Sequence, residues 1–114
     1  FSKKNKNFYI FKTLGHKNYI NFANYSDLII GNSSSGILEI PSLRKISINV
    51  GLRQKGRIFG NSVINVNTEK SSIIKAIKKG LSLNGDPKFI NKLKNPYGDG
   101  FASLRSHEIF KKII

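Results

Sequence analysis

The feature that most constrains the fold is the run at residues 27–39, Asp-Leu-Ile-Ile-Gly-Asn-Ser-Ser-Ser-Gly-Ile-Leu-Glu. A short apolar segment stops at a turn of small polar residues, and a second apolar pattern that carries one carboxylate begins directly after it. This order predicts a buried strand that leads through a tight turn to the N-terminus of a helix. Because a helix N-terminus exposes unpaired N–H groups and the positive end of the helix dipole, the turn suits an anion, above all a phosphate. An ordinary strand-to-helix turn with a Ser cap is the alternative interpretation.

The rest of the chain alternates between predicted strands and predicted helices. Strands are expected at residues 7–11, 28–30, 45–50 and 62–66. Helices are expected at residues 17–25, at 37–40 before Pro41, from about 69 to 79, around 89–93, and from about 102 onward. Turns or loops are expected at residues 51–61, 84–87 and 95–100. The alternation predicts an α/β fold with a mainly parallel sheet and helices on both faces.

Two of the predicted loops should lie at the same edge of this sheet. The strand at 28–30 has no polar alternation, which is typical of a parallel strand covered on both faces, whereas the strand at 45–50 alternates apolar and polar residues. The turn at 31–36 follows the first of these strands, and the loop at 51–61 follows the second. Because ligands of open α/β folds bind at the carboxyl ends of the strands, we expect both segments to border a binding site.

Composition limits the classes of function. A chain of 114 residues corresponds to one domain, and no apolar run approaches the roughly 20 residues that span a bilayer. The chain has no Cys and therefore no disulfide or thiolate metal site, and we expect a cytoplasmic protein that binds no membrane. The net charge of +14 points to nucleic acid as a partner, but the lysines are dispersed, as in proteins encoded by A/T-rich genomes. Nucleic acid is therefore the less favoured partner.

Several side chains near the predicted edge could bind a ligand. The hydroxyls of the turn at 31–36 can donate to phosphate oxygens, and Glu39 can accept hydrogen bonds from two neighbouring ribose hydroxyls. Arg53, Gln54 and Arg57 offer donors for an anion or a base edge. Each set also has a structural interpretation, as a capping turn, a surface carboxylate or a solvated basic loop.

The sequence predicts neither a metal centre nor a catalytic acid–base pair. His16 and His107 lie in separate segments without a partner at metal-ligand spacing, and both are predicted as turn or surface residues. The six acidic residues form no evident pair, so we do not expect this chain alone to carry out proton transfer. No cofactor is expected.

Taken in order, four segments resemble one family. They are Gly-Asn-Ser-Ser-Ser-Gly-Ile-Leu-Glu-Ile-Pro-Ser at 31–42, Ile-Asn-Val-Gly at 48–51, Arg-Gln-Lys-Gly-Arg at 53–57 and Asn-Pro-Tyr-Gly-Asp-Gly at 95–100. This combination resembles the C-terminal portion of the hydrolysing UDP-N-acetylglucosamine 2-epimerases, from about residue 8 to the end. The resemblance implies two Rossmann-like domains of the glycosyltransferase-B type with the nucleotide sugar between them. This chain would cover most of the second domain.

The resemblance also implies roles for individual residues in binding UDP. Ser33 and Ser34 match the hydroxyls that bind the diphosphate, Glu39 matches the carboxylate that holds the ribose, and Arg53 lines the nucleotide site. The backbone near Leu14 and the ring of Tyr19 match positions beside the uracil, on which Tyr19 could stack. The residues of the supporting loops are Asn32, Gly36, Gln54 and Arg57.

The reaction that the resemblance implies is elimination of UDP across the C1–C2 bond of the sugar. Water then adds with inversion at C2 and releases an N-acetylmannosamine-type sugar, as in sialic-acid-type biosynthesis. The family's acid–base carboxylates lie in its first domain and its histidine lies upstream in the second, so no catalytic residue is assigned here. We expect this chain alone to be inactive. A non-catalytic remnant and a basic nucleic-acid-binding module are the alternative interpretations.

Two consequences for the rest of the chain follow from the resemblance. Residues 1–100 are predicted as a partial Rossmann-like UDP-binding domain, and 101–114 as a helix that packs on the absent N-terminal domain, with a homo-oligomer as a further option. The family usually has Gly and Pro where this chain has Arg44 and Ile46, and Asp, Thr or Ser at Leu52. If the Gly position is left-handed, Arg44 strains that turn by on the order of 1 kcal/mol.

Overall fold

A computed structural model of the chain describes residues 6–114. Over these residues the chain forms three strands, five α-helices and one 3-10 helix. In order these are α1 (Gly15–Tyr25), β1 (Ile29–Gly31), α2 (Ser35–Leu38), the 3-10 helix Ile40–Leu43, β2 (Ser47–Val50), β3 (Val63–Val66), α3 (Lys70–Asn84), α4 (Pro87–Asn91) and α5 (Ala102–Ile113). Within this part of the chain, no helix combines the length and the apolar character needed to cross a membrane.

The three strands form one parallel sheet in the order β1-β2-β3. Ile30 of β1 pairs in register with Ile48 of β2, which pairs in turn with Ile64 of β3. The strands are joined by crossovers that contain helices or long loops, as parallel pairing requires. The predicted α/β class with a parallel sheet is confirmed.

Helices cover both faces of the central strand, β2. On one face, Ser47 Oγ donates a 2.7 Å hydrogen bond to the carbonyl of Gly36 in α2. On the other face, α3 approaches closely through Gly80, where an added Cβ would lie 2.8 Å from a methyl of Leu28 and 3.4 Å from Ile46. The predicted arrangement of helices on both faces is therefore confirmed.

The apolar core lies between these layers. Its most completely buried side chains are Ile37, Ile40, Ile46 and Ile48. Ile37 lies in α2 and Ile40 in the 3-10 helix, whereas Ile48 lies in β2 and Ile46 directly before it. Burying four such side chains stabilises the fold by roughly 1.5–3 kcal/mol each before entropy is subtracted. The sheet and the α2 segment are consequently one packed unit, and the candidate site is built on it.

The predicted strand at residues 7–11 is wrong. This segment has no regular secondary structure, and Tyr9, Ile10 and Phe11 are exposed. The ring of Phe11 packs at 5.7 Å, between centroids, on the ring of Phe22 in α1. A β-type composition becomes a strand only where a neighbouring strand accepts its backbone hydrogen bonds, and the described sheet does not extend to this segment.

The expected burial of β1 on both faces is wrong. Ile30 in β1 is 47% exposed, although its apolar run predicted cover on both faces. In β2, by contrast, the polar side chains of Ser47 and Asn49 are only 2% and 6% exposed. Position in the sheet explains both results, because β1 is an edge strand of the described sheet and β2 is its centre.

Helix boundaries differ from the predictions by a few residues. α1 begins at Gly15 and α3 continues to Asn84, both beyond the predicted limits. α2 ends at Leu38, before Pro41, as the sequence predicted, and Pro41 itself lies in the first turn of the 3-10 helix, where its missing N–H costs nothing. Local propensity determines such ends weakly, so differences of this size are common.

The 3-10 helix Ile40–Leu43 ends in a left-handed residue. Arg44 has φ 54° and ψ 41° and is the one non-glycine residue with positive φ among residues 6–114. The expected left-handed position is therefore confirmed, and it is occupied by a residue with a Cβ.

The last helix, α5, is exposed along its whole length. An ion pair between Asp99 and Arg105 and a 3.0 Å hydrogen bond from Phe101 N to Asp99 Oδ1 fix its first turn. The predicted boundary at residue 100 stays a prediction, and so does the role of α5 as a docking element.

Candidate functional site

The candidate site lies where β1 and β2 end. Gly31 and Asn49 are register partners near the carboxyl ends of these strands. The Ser-rich turn follows β1 directly, and the Arg-Gln loop follows β2. The two segments that the sequence predicted to share an edge are therefore neighbours in the fold.

A buried glutamine joins the loop to the turn. Gln54 is 5% exposed, and its Nε2 donates a 2.9 Å hydrogen bond to the carbonyl of Asn32. Arg53 supports the same contact from outside, because its Nη1 lies 3.5 Å from Asn32 Oδ1. Although the loop is polar, Gln54 is buried in it and its amide donates to a backbone carbonyl, as buried polar groups generally do. Arg57 is exposed in the same loop.

The turn presents two serine hydroxyls. Ser33 Oγ accepts a 3.3 Å hydrogen bond from the backbone N–H of Ser35, which leaves its own proton available. Ser34 is the N-cap residue of α2, yet its backbone is already helical and its side chain makes no capping hydrogen bond. The alternative interpretation, an ordinary turn with a Ser cap, stays open, because Ser33 Oγ accepts a backbone hydrogen bond of the capping kind.

The helix after the turn is shorter than a strong anion site needs. α2 contains four residues and passes into the 3-10 helix through Glu39. A macrodipole is the sum of aligned peptide dipoles, so a single turn contributes little. Any binding of an anion at this turn would therefore depend mainly on the hydroxyls of the turn and the cation of Arg53.

A pocket of about 160 Å³ opens between the sheet and the start of α2. The polar residues of its wall include Tyr19, Ser33, Ser35, Ser47 and Asn49. The Tyr19 hydroxyl is hydrogen-bonded to the hydroxyl of Ser35, which joins α1 to α2 across the pocket. Gly36 forms part of the wall and lies against Ser47, so a side chain there would narrow the pocket.

Asn49, in the wall of this pocket, has a side-chain amide of which only one atom is known to be hydrogen-bonded. Its Nδ2 donates a 2.8 Å hydrogen bond to Oδ1 of Asn65 in β3. Its Oδ1 is buried and has no hydrogen-bond partner among the described residues. Asn49 was not among the predicted site residues. A polar residue in the middle of an apolar strand is nevertheless a signal that could have identified it.

An open depression adjoins the pocket through Tyr19. It is lined by Phe11, Thr13, Leu14, Gly15, His16 and Tyr19. Leu14 immediately precedes α1, and Tyr19 lies one turn into that helix. Leu14 and Tyr19, which were predicted to act together, therefore border the same depression.

Glu39 lies near this depression with a histidine partner. His16 Nε2 is 3.3 Å from Glu39 Oε2, and both side chains are substantially exposed. His16 was predicted as an isolated turn residue, so its pairing with Glu39 is a contact that sequence reasoning missed. Among residues 6–114, no group of three or more acidic, His or Cys side chains could hold a metal ion.

Comparison with known proteins identifies one matching family and several similar proteins. The sequence profile of the family described as UDP-N-acetylglucosamine 2-epimerase matches residues 1–111. The polysialic acid biosynthesis protein P7 of Escherichia coli is 42% identical over 101 residues, covering 86% of this chain and 25% of that protein. UDP-N,N'-diacetylbacillosamine 2-epimerase (hydrolyzing) of Legionella pneumophila is 36% identical over 104 residues, covering 91% and 26%.

A third relative is the UDP-N-acetylglucosamine 2-epimerase of Neisseria meningitidis serogroup B, which is 34% identical over 76 residues. That match covers 67% of this chain and 20% of the relative. The chain thus spans about a quarter of the length of the first two relatives and a fifth of this one. The profile match extends over almost the whole sequence, and the chain belongs to the UDP-N-acetylglucosamine 2-epimerase family.

Proposed function

We propose that this chain is the UDP-binding part of a hydrolysing UDP-N-acetylglucosamine 2-epimerase. The observation that carries the proposal is the Ser-rich turn, which Gln54 and Arg53 hold against the loop after β2 at the carboxyl edge of a parallel sheet. Ligands of open α/β sheets bind at this edge. Two of the relatives, from Legionella pneumophila and Neisseria meningitidis, are named as 2-epimerases, which supports the same assignment.

The diphosphate would bind at the turn. The Ser34 hydroxyl makes no capping hydrogen bond, and the Ser33 hydroxyl uses only its acceptor side, so both can donate to phosphate oxygens. Arg53 lies beside Asn32 with an exposed guanidinium that can add charge-assisted hydrogen bonds. Asn32 and Gly36 would shape the turn without binding the phosphates directly.

The nucleoside would lie along α1. The depression beside Leu14 and Tyr19 offers an aromatic ring for stacking on uracil. Glu39 can accept hydrogen bonds from the ribose hydroxyls once they replace its contact with His16. The tyrosine hydroxyl already bonded to Ser35 would hold the nucleoside and diphosphate halves of the site together.

The complete enzyme would eliminate UDP from the sugar and add water at C2, releasing an N-acetylmannosamine-type product. This chain would supply the leaving-group half of that reaction by binding UDP. The acid–base groups would come from the remainder of a longer protein, because this chain contains a quarter of a typical relative. We assign no catalytic residue to residues 6–114.

Titration calorimetry with UDP tests the proposal. The chain should bind UDP, and Ser34→Ala and Glu39→Ala should each weaken binding by about 10-fold, the effect of one hydrogen bond to a charged group. Ser71→Ala and Glu108→Ala are matched controls at exposed positions away from the site and should leave binding unchanged. The absence of UDP binding in the unchanged chain would contradict the proposal.

The second candidate is a nucleic-acid-binding module, which the net charge of +14 favours. A mixed-sequence oligonucleotide should be titrated at roughly 50 and 200 mM salt, since phosphate contacts give a steep loss of affinity over this range. Tight and salt-sensitive binding of the oligonucleotide without binding of UDP would favour this candidate. Weak oligonucleotide binding with UDP binding intact supports the epimerase assignment.

We also propose that α5 docks on the domain that lies outside this chain. Ile109, Phe110 and Ile113 are 56–73% exposed and share one side of α5. A helix with such a face is normally covered by another surface. A homo-oligomer would be the other way to cover it.

A further inference from the structure

The side chain of Asn49 has an unused hydrogen-bonding atom in the candidate pocket. Asn49 is 6% exposed, and its Oδ1 is buried without a partner among residues 6–114. Leaving such an acceptor unpaired is unfavourable, because burial removes its hydration without replacing it. A valine at this position would fit the apolar pattern of β2 and carry no such penalty.

The orientation of Asn49 is fixed by its neighbours. It lies on the same sheet face as its register partner Gly31 and contributes to the pocket beside Ser33. Its Nδ2 is occupied by the 2.8 Å hydrogen bond to Asn65, so the oxygen is the atom left for a ligand. Because Gly31 has no side chain, this register partner adds none to cover the amide.

We propose that Asn49 is a binding residue of this pocket, where its Oδ1 accepts a hydrogen bond from an O–H or N–H group of the ligand. The inference rests on the proposed function, in which the diphosphate of UDP binds at Ser33, a residue of the wall of this pocket. An acceptor cannot pair with an ionised phosphate oxygen, so Asn49 selects ligands that carry a hydroxyl or amide donor next to the phosphates. It therefore distinguishes a nucleotide from a bare anion.

A pair of variants separates binding from structure. Asn49→Leu removes the amide at similar volume, and Asn65→Ala removes the same amide–amide hydrogen bond from the other side without touching the pocket. UDP and inorganic pyrophosphate should be titrated against both. Pyrophosphate shares the phosphate oxygens but has no ribose or base donor.

Asn49→Leu should weaken UDP binding by about 5- to 10-fold and leave pyrophosphate binding unchanged within about twofold, the loss of one net hydrogen bond. Asn65→Ala keeps the Asn49 acceptor but removes the bond that orients it, so it should weaken UDP binding by less than Asn49→Leu does and leave pyrophosphate binding unchanged. Without ligand, Asn49→Leu should unfold at the same temperature as the unchanged chain or at a higher one, since the unpaired acceptor is gone. An equal loss of UDP and pyrophosphate affinity, or a lower unfolding temperature than that of Asn65→Ala, would assign Asn49 a structural role and overturn the inference.

A measurement on the unchanged chain covers the case in which a variant does not fold. The side-chain amide resonances of Asn49 should shift on saturation with UDP and stay in place with pyrophosphate. Resonances that stay in place with UDP overturn this inference while UDP binding itself still supports the proposed function. If the unchanged chain binds no UDP at all, both fail.

Discussion

At Arg44 the chain leaves the 3-10 helix in a left-handed conformation. In this region a Cβ approaches the following carbonyl oxygen, whereas glycine adopts it without this cost. We therefore expect Arg44→Gly to raise the free energy of unfolding by about 1 kcal/mol, measured by urea denaturation. Arg44→Ala keeps the Cβ and serves as the control, because an equal gain there would trace the effect to the arginine side chain instead.

A second prediction concerns the carboxylate of Asp99. The hydrogen bond from Arg105 and the backbone N–H of Phe101 hold the pKa of Asp99 below the ordinary value of 3.8. Because the folded pKa is the lower one, the pair stabilises the fold above the unfolded pKa, and this contribution is lost as the pH falls through the folded pKa. The pH window therefore lies at and below about 4.

Titration of the carboxyl carbon by NMR measures this pKa directly. Arg105→Gln should return the pKa of Asp99 toward 3.8, because the charged donor is gone. Lys111→Gln removes a cation from the same helix, where it lies beside Glu108, and should leave Asp99 as it is. An Asp99 pKa that ignores the Arg105 substitution would show that the ion pair does not form in solution.

At the scale of elements, the side chain of Asn95 connects the loop before α5 to α2 and the 3-10 helix that follows it. Its Nδ2 lies 2.7 Å from both the Leu38 carbonyl and Ser42 Oγ, while its Oδ1 accepts from Tyr97 N at 3.0 Å. Asn95→Asp keeps the acceptor and removes both donations. We expect a loss of about 1–2 kcal/mol in the free energy of unfolding, the value of two partly exposed hydrogen bonds.

Urea denaturation of three chains tests this connection. Asn61→Asp makes the same chemical change at an exposed loop position and should unfold at the midpoint of the unchanged chain. Ser42→Ala removes one of the two acceptors and should give an intermediate loss. Identical midpoints for Asn95→Asp and Asn61→Asp would mean that Asn95 does not hold the two segments together.

The order of strands and helices could be predicted from the sequence, but their pairing and burial could not. The alternation of strands and helices identified the parallel sheet, and the apolar runs located β1, β2 and β3 to within two residues. Composition could not reveal that residues 7–11 lack a neighbouring strand, because strand formation depends on a partner distant in sequence. For the same reason alternation identified β2 as a strand but could not reveal that its polar residues are buried, as Ser47 is against Gly36 of α2.

In the candidate site, the residues on short motifs were predictable and the contacts between them were not. The Ser-rich turn and the Arg-Gln loop could be paired because parallel strands end at one edge. The burial of Gln54, the pairing of His16 with Glu39 and the unpaired oxygen of Asn49 depend on tertiary packing. A sequence pattern carries no direct information on such distances.

For the molecule as a whole, the exposed apolar face of α5 is the feature that most affects how the chain associates with other surfaces. If Ile109, Phe110 and Ile113 form a docking surface, they should bind the dye ANS in the isolated chain, since ANS reports accessible apolar surface. Replacing Phe110 and Ile113 by Ser should lower the fluorescence markedly.

The control is a single apolar side chain outside any such face. Leu52 is 79% exposed in a loop, and Leu52→Ser should change the ANS signal little. If both variants lower the signal equally, α5 presents no contiguous apolar surface, and its proposed docking role would be contradicted.

The open edge of β1 has a consequence for how the chain behaves in solution. In the described sheet, β1 pairs only with β2, so one row of its backbone N–H and C=O groups faces away. Such an edge is a template for strand addition by a second molecule, and the aromatic run at residues 9–11 has the composition of an aggregation-prone segment. Repulsion among the 20 Lys and Arg side chains opposes that encounter. Added salt, which screens this repulsion, should therefore lower the solubility of the chain.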